Sequence, residues 1–283
     1  MAAVSISLLC VLAAVQAPAA SKPAAAAWPK LDGNRMKEFG LALDSLKRTL
    51  TPEGVEEMAT KVASFGKGGV PLLYESLSRQ KSVPEEDEPE DVKRVKRALD
   101  RIVTKEDVPR LSGDVVHKSA FVRRFALRKL AEYQDPGALA AARKALTDHD
   151  EEARFEATLT CFALGSIDGM PVMIEAARDR WPKVGVRIRA ALEKHRSDEA
   201  TDRLLPLLSS KEWQEVCAGL RLLAGIGTKK SIFAVSKHLD STDNRIKENA
   251  INALRGIVDN EKPIEKLSAF DLAEQANAWK KKL

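Results

Sequence analysis

The apolar positions of the chain recur at a fixed interval. From Ala120 to Leu146 they are Val122, Ala126, Leu130 and Tyr133, then Leu139, Ala142 and Leu146. The same spacing returns 31 residues later as Ala153, Ala157, Cys161, Leu164, Met170, Met173 and Ala177. It occurs 31 residues earlier as Val95, Leu99, Ile102, Val108, Leu111 and Val115. Ile232, Val235 and Leu239 fit three periods on from the second half of the unit, and Ile246, Ala250, Leu254 and Ile257 fit four periods on from the first half. Within each run the apolar residues fall three or four apart, which places them on one face of a helix. Each unit holds two such runs joined by a short turn, and a helix pair returning at one period is the signature of a solenoid. The pattern predicts an all-α fold: an α-solenoid of about six to seven helix pairs with capping helices at its ends.

The polar segments divide the chain around this array. Residues 1–19 contain an apolar run from Val4 to Val15, too short to span a bilayer, followed by Ala17-Pro18-Ala19; they read as a secretory signal peptide, although no Lys or Arg precedes the run. Residues 20–34 are rich in Ala and Pro and read as a flexible tether. Met36, Phe39, Leu43, Leu46 and Leu50 then predict an amphipathic helix, so that 35–82 form an N-terminal cap and a degenerate first repeat. Residues 83–91 carry six acidic side chains and two prolines and read as an exposed insertion. That insertion precedes a helix bearing Lys93, Arg94, Lys96, Arg97 and Arg101, and either screens this basic helix start or serves as an electrostatic docking element or cation-binding loop. Regular repeats are expected over 92–262. A C-terminal cap follows over 263–283, opened by a Ser268–Asp271 capping-box spacing.

The run from Val122 to Ala131 followed by Asp135-Pro136-Gly137-Ala138 resembles HEAT-like repeats, of the short phycobilisome-lyase type. Ala153-Arg154, Gly225-Ile226-Gly227 and Ile246 to Ala250 echo it, and the resemblance covers roughly Pro52 to Val258. It implies a solenoid whose concave surface, lined by the second helix of each pair, binds other macromolecules. The basic positions Arg143, Lys144, Arg178, Arg203 and Lys237 lie on predicted second helices. With Trp181 and Trp213, 32 residues apart and so at nearly equivalent positions, they form the expected partner-binding set. For the tryptophans an aromatic hot spot competes with packing into the inter-repeat turns. Arg123, Arg154 and Lys247 align, a position that in HEAT-like repeats makes a ladder with turn acids.

Composition narrows the function. The 46 basic and 41 acidic residues nearly cancel, giving a net charge of +5, so a solvated helical surface competes with a preference for acidic partners. The basic clusters Arg123-Arg124, Arg128-Lys129, Arg187, Arg189 and Lys229-Lys230 do not align at the period, which argues against a continuous stripe for nucleic acid and reads as scattered solvated charge. His117, His149, His195 and His238 show no metal-binding spacing, and the His-Glu pairs of HEAT-like di-iron hydroxylases are absent from the sequence. Cys161 and Cys217 fall on helix core positions and read as free thiols. No catalytic, cofactor-binding or metal-binding residue is assigned. The expectation is an exported, non-catalytic scaffold in the periplasm or beyond that binds a protein partner, without a membrane span after signal cleavage. A HEAT-like lyase-type enzyme or accessory subunit is the alternative, and a nucleic-acid-binding repeat protein comes after it.

Overall fold

The computed structural model describes residues 27–283; the leader and residues 20–26 lie outside the described residues. All regular elements among these residues are helical. An opening helix, α1 (Gly33–Arg48), precedes the pairs α2 (Pro52–Ala63) with α3 (Val70–Ser78) and α4 (Glu90–Ile102) with α5 (Val108–Asp114). Next come α6 (Ala120–Tyr133) with α7 (Leu139–Ala145), and α8 (Glu151–Ala163) with α9 (Met170–Asp179). The last pairs are α10 (Trp181–Leu192) with α11 (Asp198–Leu204) and α12 (Trp213–Ile226) with α13 (Ile232–Ser236). Helix α14 (Asn244–Leu254) then runs into a π turn over Arg255–Asp259 instead of a second helix, and α15 (Ala269–Lys282) closes the end. The chain is thus an α-solenoid, with helix pairs flanked by terminal helices.

Local chemistry sets these boundaries. Second helices α3, α5 and α9 each carry proline in the first turn, where its fixed φ suits a helix and its missing N–H leaves no orphan donor. Side chains of Thr51, Asp150, Ser197 and Asp243 accept from first-turn backbone N–H groups of the helices they precede. Ser268 and Asp271 form the reciprocal box that opens α15. The repeating apolar positions face inward: Val95, Leu99, Val122, Ala126, Leu130, Ala157, Cys161, Met173, Val235, Ala250 and Leu254 are all buried. Cys161 and Cys217 are buried free thiols.

Three features depart from the expected layout. Residues 27–32, placed by composition in the flexible tether, pack on the array. Leu31 is buried, and the Trp28 indole donates to Asp114 at 2.9 Å while meeting Tyr74 edge-on. The stacking is also uneven. First helices pack directly as α2 on α4, α6 on α8 and α12 on α14, but α3 also reaches α6 and α9 reaches α12, each past an intervening first helix. Finally, the core divides into two clusters that meet on α8, whose Ala157 and Cys161 belong to one and Phe155 and Phe162 to the other.

Candidate partner-binding face

The residues expected to bind a partner are dispersed. Arg143 pairs with Asp168 at 2.6 Å, Arg178 with its neighbour Asp179 at 2.7 Å, and Arg203 with Glu199 at 2.7 Å. Lys237 lies 4.5 Å above the ring of Phe233, which is itself exposed. Lys144 lines an open depression of about 290 Å³ with His117, Lys118, Arg123 and His149. The two tryptophans are half-buried in inter-helix joints. Trp181 stands between Arg189 and Arg221, at 5.4 and 5.3 Å, and Trp213 lies beneath Arg245 at 3.5 Å.

Of the cations that do converge, Arg124, Arg128 and Arg187 were read from the sequence as scattered solvated charge, Lys96 as part of the basic helix start behind the insertion, and Lys183 carried no reading. The reason for the difference is the insertion over 83–91, which crosses several repeats where a period search tests only stacking along the axis. Glu85–Asp87 form a single 3₁₀ turn between Pro84 and Pro89. Glu88 is buried and meets Lys96 of α4 at 2.8 Å and Arg124 of α6 at 3.1 Å. Arg124 also donates to the carbonyl of Val83 at 2.6 Å. Glu85 reaches Arg187 of α10 at 2.8 Å and Arg128 of α6 at 3.9 Å. Lys183, also on α10, lies 3.4 Å from Glu86 and 3.6 Å from Asp87. The segment is therefore docked rather than free, and its acids meet far more than the start of α4.

Aromatic rings floor this cradle. Arg124 lies 5.3 Å over Phe121, Arg128 5.7 Å over Phe125, and Arg180 and Arg187 5.5 and 5.3 Å over Phe155. Each guanidinium is held on an apolar platform, so its position does not depend on the insertion alone. Glu156 of α8 pairs with Arg187 at 2.6 Å, and Glu152 with Arg180 at 2.5 Å. Burial, reinforced by Arg128 nearby, lowers the Lys96 ammonium below the ordinary lysine range. Burial raises Glu152, while for Glu86 the same effect is outweighed by its own backbone amide and Lys183, so its carboxyl titrates below the usual range.

Buried charge elsewhere serves the frame. Arg123, 3% exposed at its side chain, holds Asp148 at 2.6 Å and donates to the carbonyls of His117 and Lys118. Arg154 repeats the carbonyl contacts one unit on, at Asp148 and His149. Of the aligned positions, Arg123 makes the expected contact with a turn acid, whereas Arg154 shares only the carbonyl contacts. Asp107, fully buried, ties Lys67 and Arg110 to the turn before α5 and carried no sequence signal.

The fold thus defines a helical-repeat protein of the solenoid class. Residues 115–193, spanning α6 to α10, match the family model described as HEAT repeats, so the HEAT-like resemblance of the sequence holds there. No curated protein matches the sequence. Among solved structures, an engineered protein shares 18% identity, with 88% of this chain and 79% of that chain covered at a TM-score of 0.39. The complex of CpcE and CpcF of phycocyanin lyase from Nostoc sp. also shares 18% identity, covering 93% and 100% at 0.35. Human deoxyhypusine hydroxylase in complex with glycerol shares 13%, covering 87% and 95% at 0.32.

Proposed function

We propose that this protein is an exported, non-catalytic scaffold that binds a protein partner along one long face of its solenoid. The observation that carries the reading is the docked insertion. Side chains from α4, α6 and α10 already grip a short acidic segment of polypeptide, folded as a 3₁₀ turn, through five cations and a backbone carbonyl. A face that holds its own chain this way has the chemistry to hold another. The expected binding surface therefore moves from the second helices to the first. Helix α1 and the capped α15 close the ends, so the array presents its sides rather than its termini. Export to the periplasm or beyond rests on the leader alone.

The test is affinity capture with the full mature chain from the extracytoplasmic fraction, followed by co-elution of the purified pair in size-exclusion chromatography. A protein that co-elutes at fixed stoichiometry supports the reading. Recovery of no macromolecular partner, together with turnover of a small molecule by the purified protein, overturns it.

A further inference from the structure

We infer that residues 85–87 are a built-in competitor: the first-helix face of α6 and α10 binds an acidic polypeptide segment of the partner, and the tip of the insertion fills that site until the segment displaces it. The inference rests on the scaffold reading above and names the chemistry of the partner.

The insertion is held in two tiers. Glu88 is 1% exposed at its side chain and clamped by Lys96 and Arg124, so this end is fixed. The tip is different. Glu85 is 37% exposed, Glu86 34% and Asp87 59%, against Lys183 at 54% and Arg187 at 30%. Exposed pairs of this kind contribute about 0–1 kcal/mol each and weaken with salt. The tip can leave α10 while the anchor stays. The cations do not follow it, because Arg124, Arg128 and Arg187 rest on phenylalanine rings. Arg124 also keeps an unused donor, since its buried Nε has no acceptor. Once the tip withdraws, Glu88 still holds Lys96 and Arg124, Glu152 holds Arg180, Glu156 keeps one contact to Arg187 and Asp100 lies 3.5 Å from Arg128, so Lys183 and the outward sides of Arg128 and Arg187 are what the tip releases. Each guanidinium then stays oriented on its ring, which lowers the side-chain ordering cost of binding.

The occupant seen in place is a run of Glu and Asp on a peptide backbone, and guanidinium groups match carboxylates as two-pronged acceptors. Nucleic acid fits less well. Phe121, Phe125 and Phe155 are buried beneath the arginines and offer no open face for base stacking, and Glu152 and Glu156 would repel a continuous phosphate backbone.

Fluorescence anisotropy with a labelled oligo-glutamate peptide tests this on the full chain. Three proteins are compared: the wild type, the insertion variant Glu85→Gln with Glu86→Gln and Asp87→Asn, and that variant carrying Lys183→Gln and Arg187→Gln. Circular dichroism checks that all three keep wild-type helicity. The insertion variant should bind about tenfold tighter than wild type, in line with the loss as competition of the exposed pairs that Glu85, Glu86 and Asp87 make. The added α10 substitutions should cancel the gain. Unchanged affinity in the insertion variant overturns the proposal, and so does a gain that survives loss of Lys183 and Arg187. Tighter binding of single-stranded DNA than of the peptide overturns the polypeptide assignment. A captured partner that binds wild type and the Lys183/Arg187 variant equally would leave the scaffold reading intact and remove this face from it.

Discussion

At the scale of single residues, burial decides which charges matter. Glu88 and Asp87 are neighbours in one acidic run, yet their surroundings differ. Glu88 satisfies two cations in a site closed to water, and removing one partner of a buried pair leaves the others uncompensated, at a typical cost of about 3–5 kcal/mol. Asp87 faces Lys183 across 3.6 Å of exposed surface, where such a pair contributes about 0–1 kcal/mol. Glu88→Gln should therefore lower the urea midpoint sharply while Asp87→Asn leaves it nearly unchanged; equal shifts would show that the insertion has no fixed end. The histidines give a second prediction. Burial lowers His117, His195 and His238 below the ordinary imidazole range in the folded chain. Below about pH 6.5 the unfolded chain then binds more protons than the folded one, so stability present at neutral pH is lost as pH falls through this window. Thermal melts between pH 7.5 and about 5 should show a falling Tm before the carboxylates titrate, and a flat Tm there would contradict it.

At the scale of elements, the apolar period was legible because a solenoid repeats its core positions. Val122, Ala126 and Leu130 face the same kind of neighbour as Ala153, Ala157 and Cys161, so one pattern read many times predicts all these helices. The packing of α9 past α10 onto α12 was not legible, because the period says nothing about lateral displacement. The candidate site was least legible. Arg124, Arg128 and Arg187 belong to different units, and only the path of a non-repeating insertion brings them together. Close approaches between helices were equally silent. Gly256, in the π turn that replaces a second helix after α14, lies so near α12 that a Cβ there would sit 2.0 Å from the carbonyl oxygen of Ala224. Arg196 donates to the carbonyls of Gly256 and Ile257 and fixes the turn from the other side, at 2.9 and 3.2 Å. Gly256→Ala must push α14 off α12 and should cost about 1–3 kcal/mol, read as a lower urea midpoint. A neutral result would mean the π turn shifts freely.

At the scale of the whole molecule, a solenoid is a chain of nearest-neighbour contacts, and its curvature is the sum of small rotations between units. The insertion breaks that rule. It leaves the chain between the first and second helix pairs and touches α10 in the fifth, so residues far apart along the array constrain each other directly. The two core clusters give this contact leverage, since they join on α8 while the ion pairs of Glu85, Glu86 and Asp87 tie the first half to α10 in the second. Apolar packing at α8 does not respond to salt at moderate concentration, whereas half-exposed ion pairs do, as the screening length falls from about 10 Å at 0.1 M to about 3 Å at 1 M. Neutralising Glu85, Glu86 and Asp87 together should then open the array, and small-angle scattering should record a larger radius of gyration and maximum dimension than for the wild type at low salt. The wild type at 1 M salt should approach the variant's profile, while the variant itself should change little with salt. Superimposable curves for both proteins at every salt concentration would mean that the packing of α8 between the two cores sets the curvature alone, and that the insertion follows the shape of the array without helping to hold it.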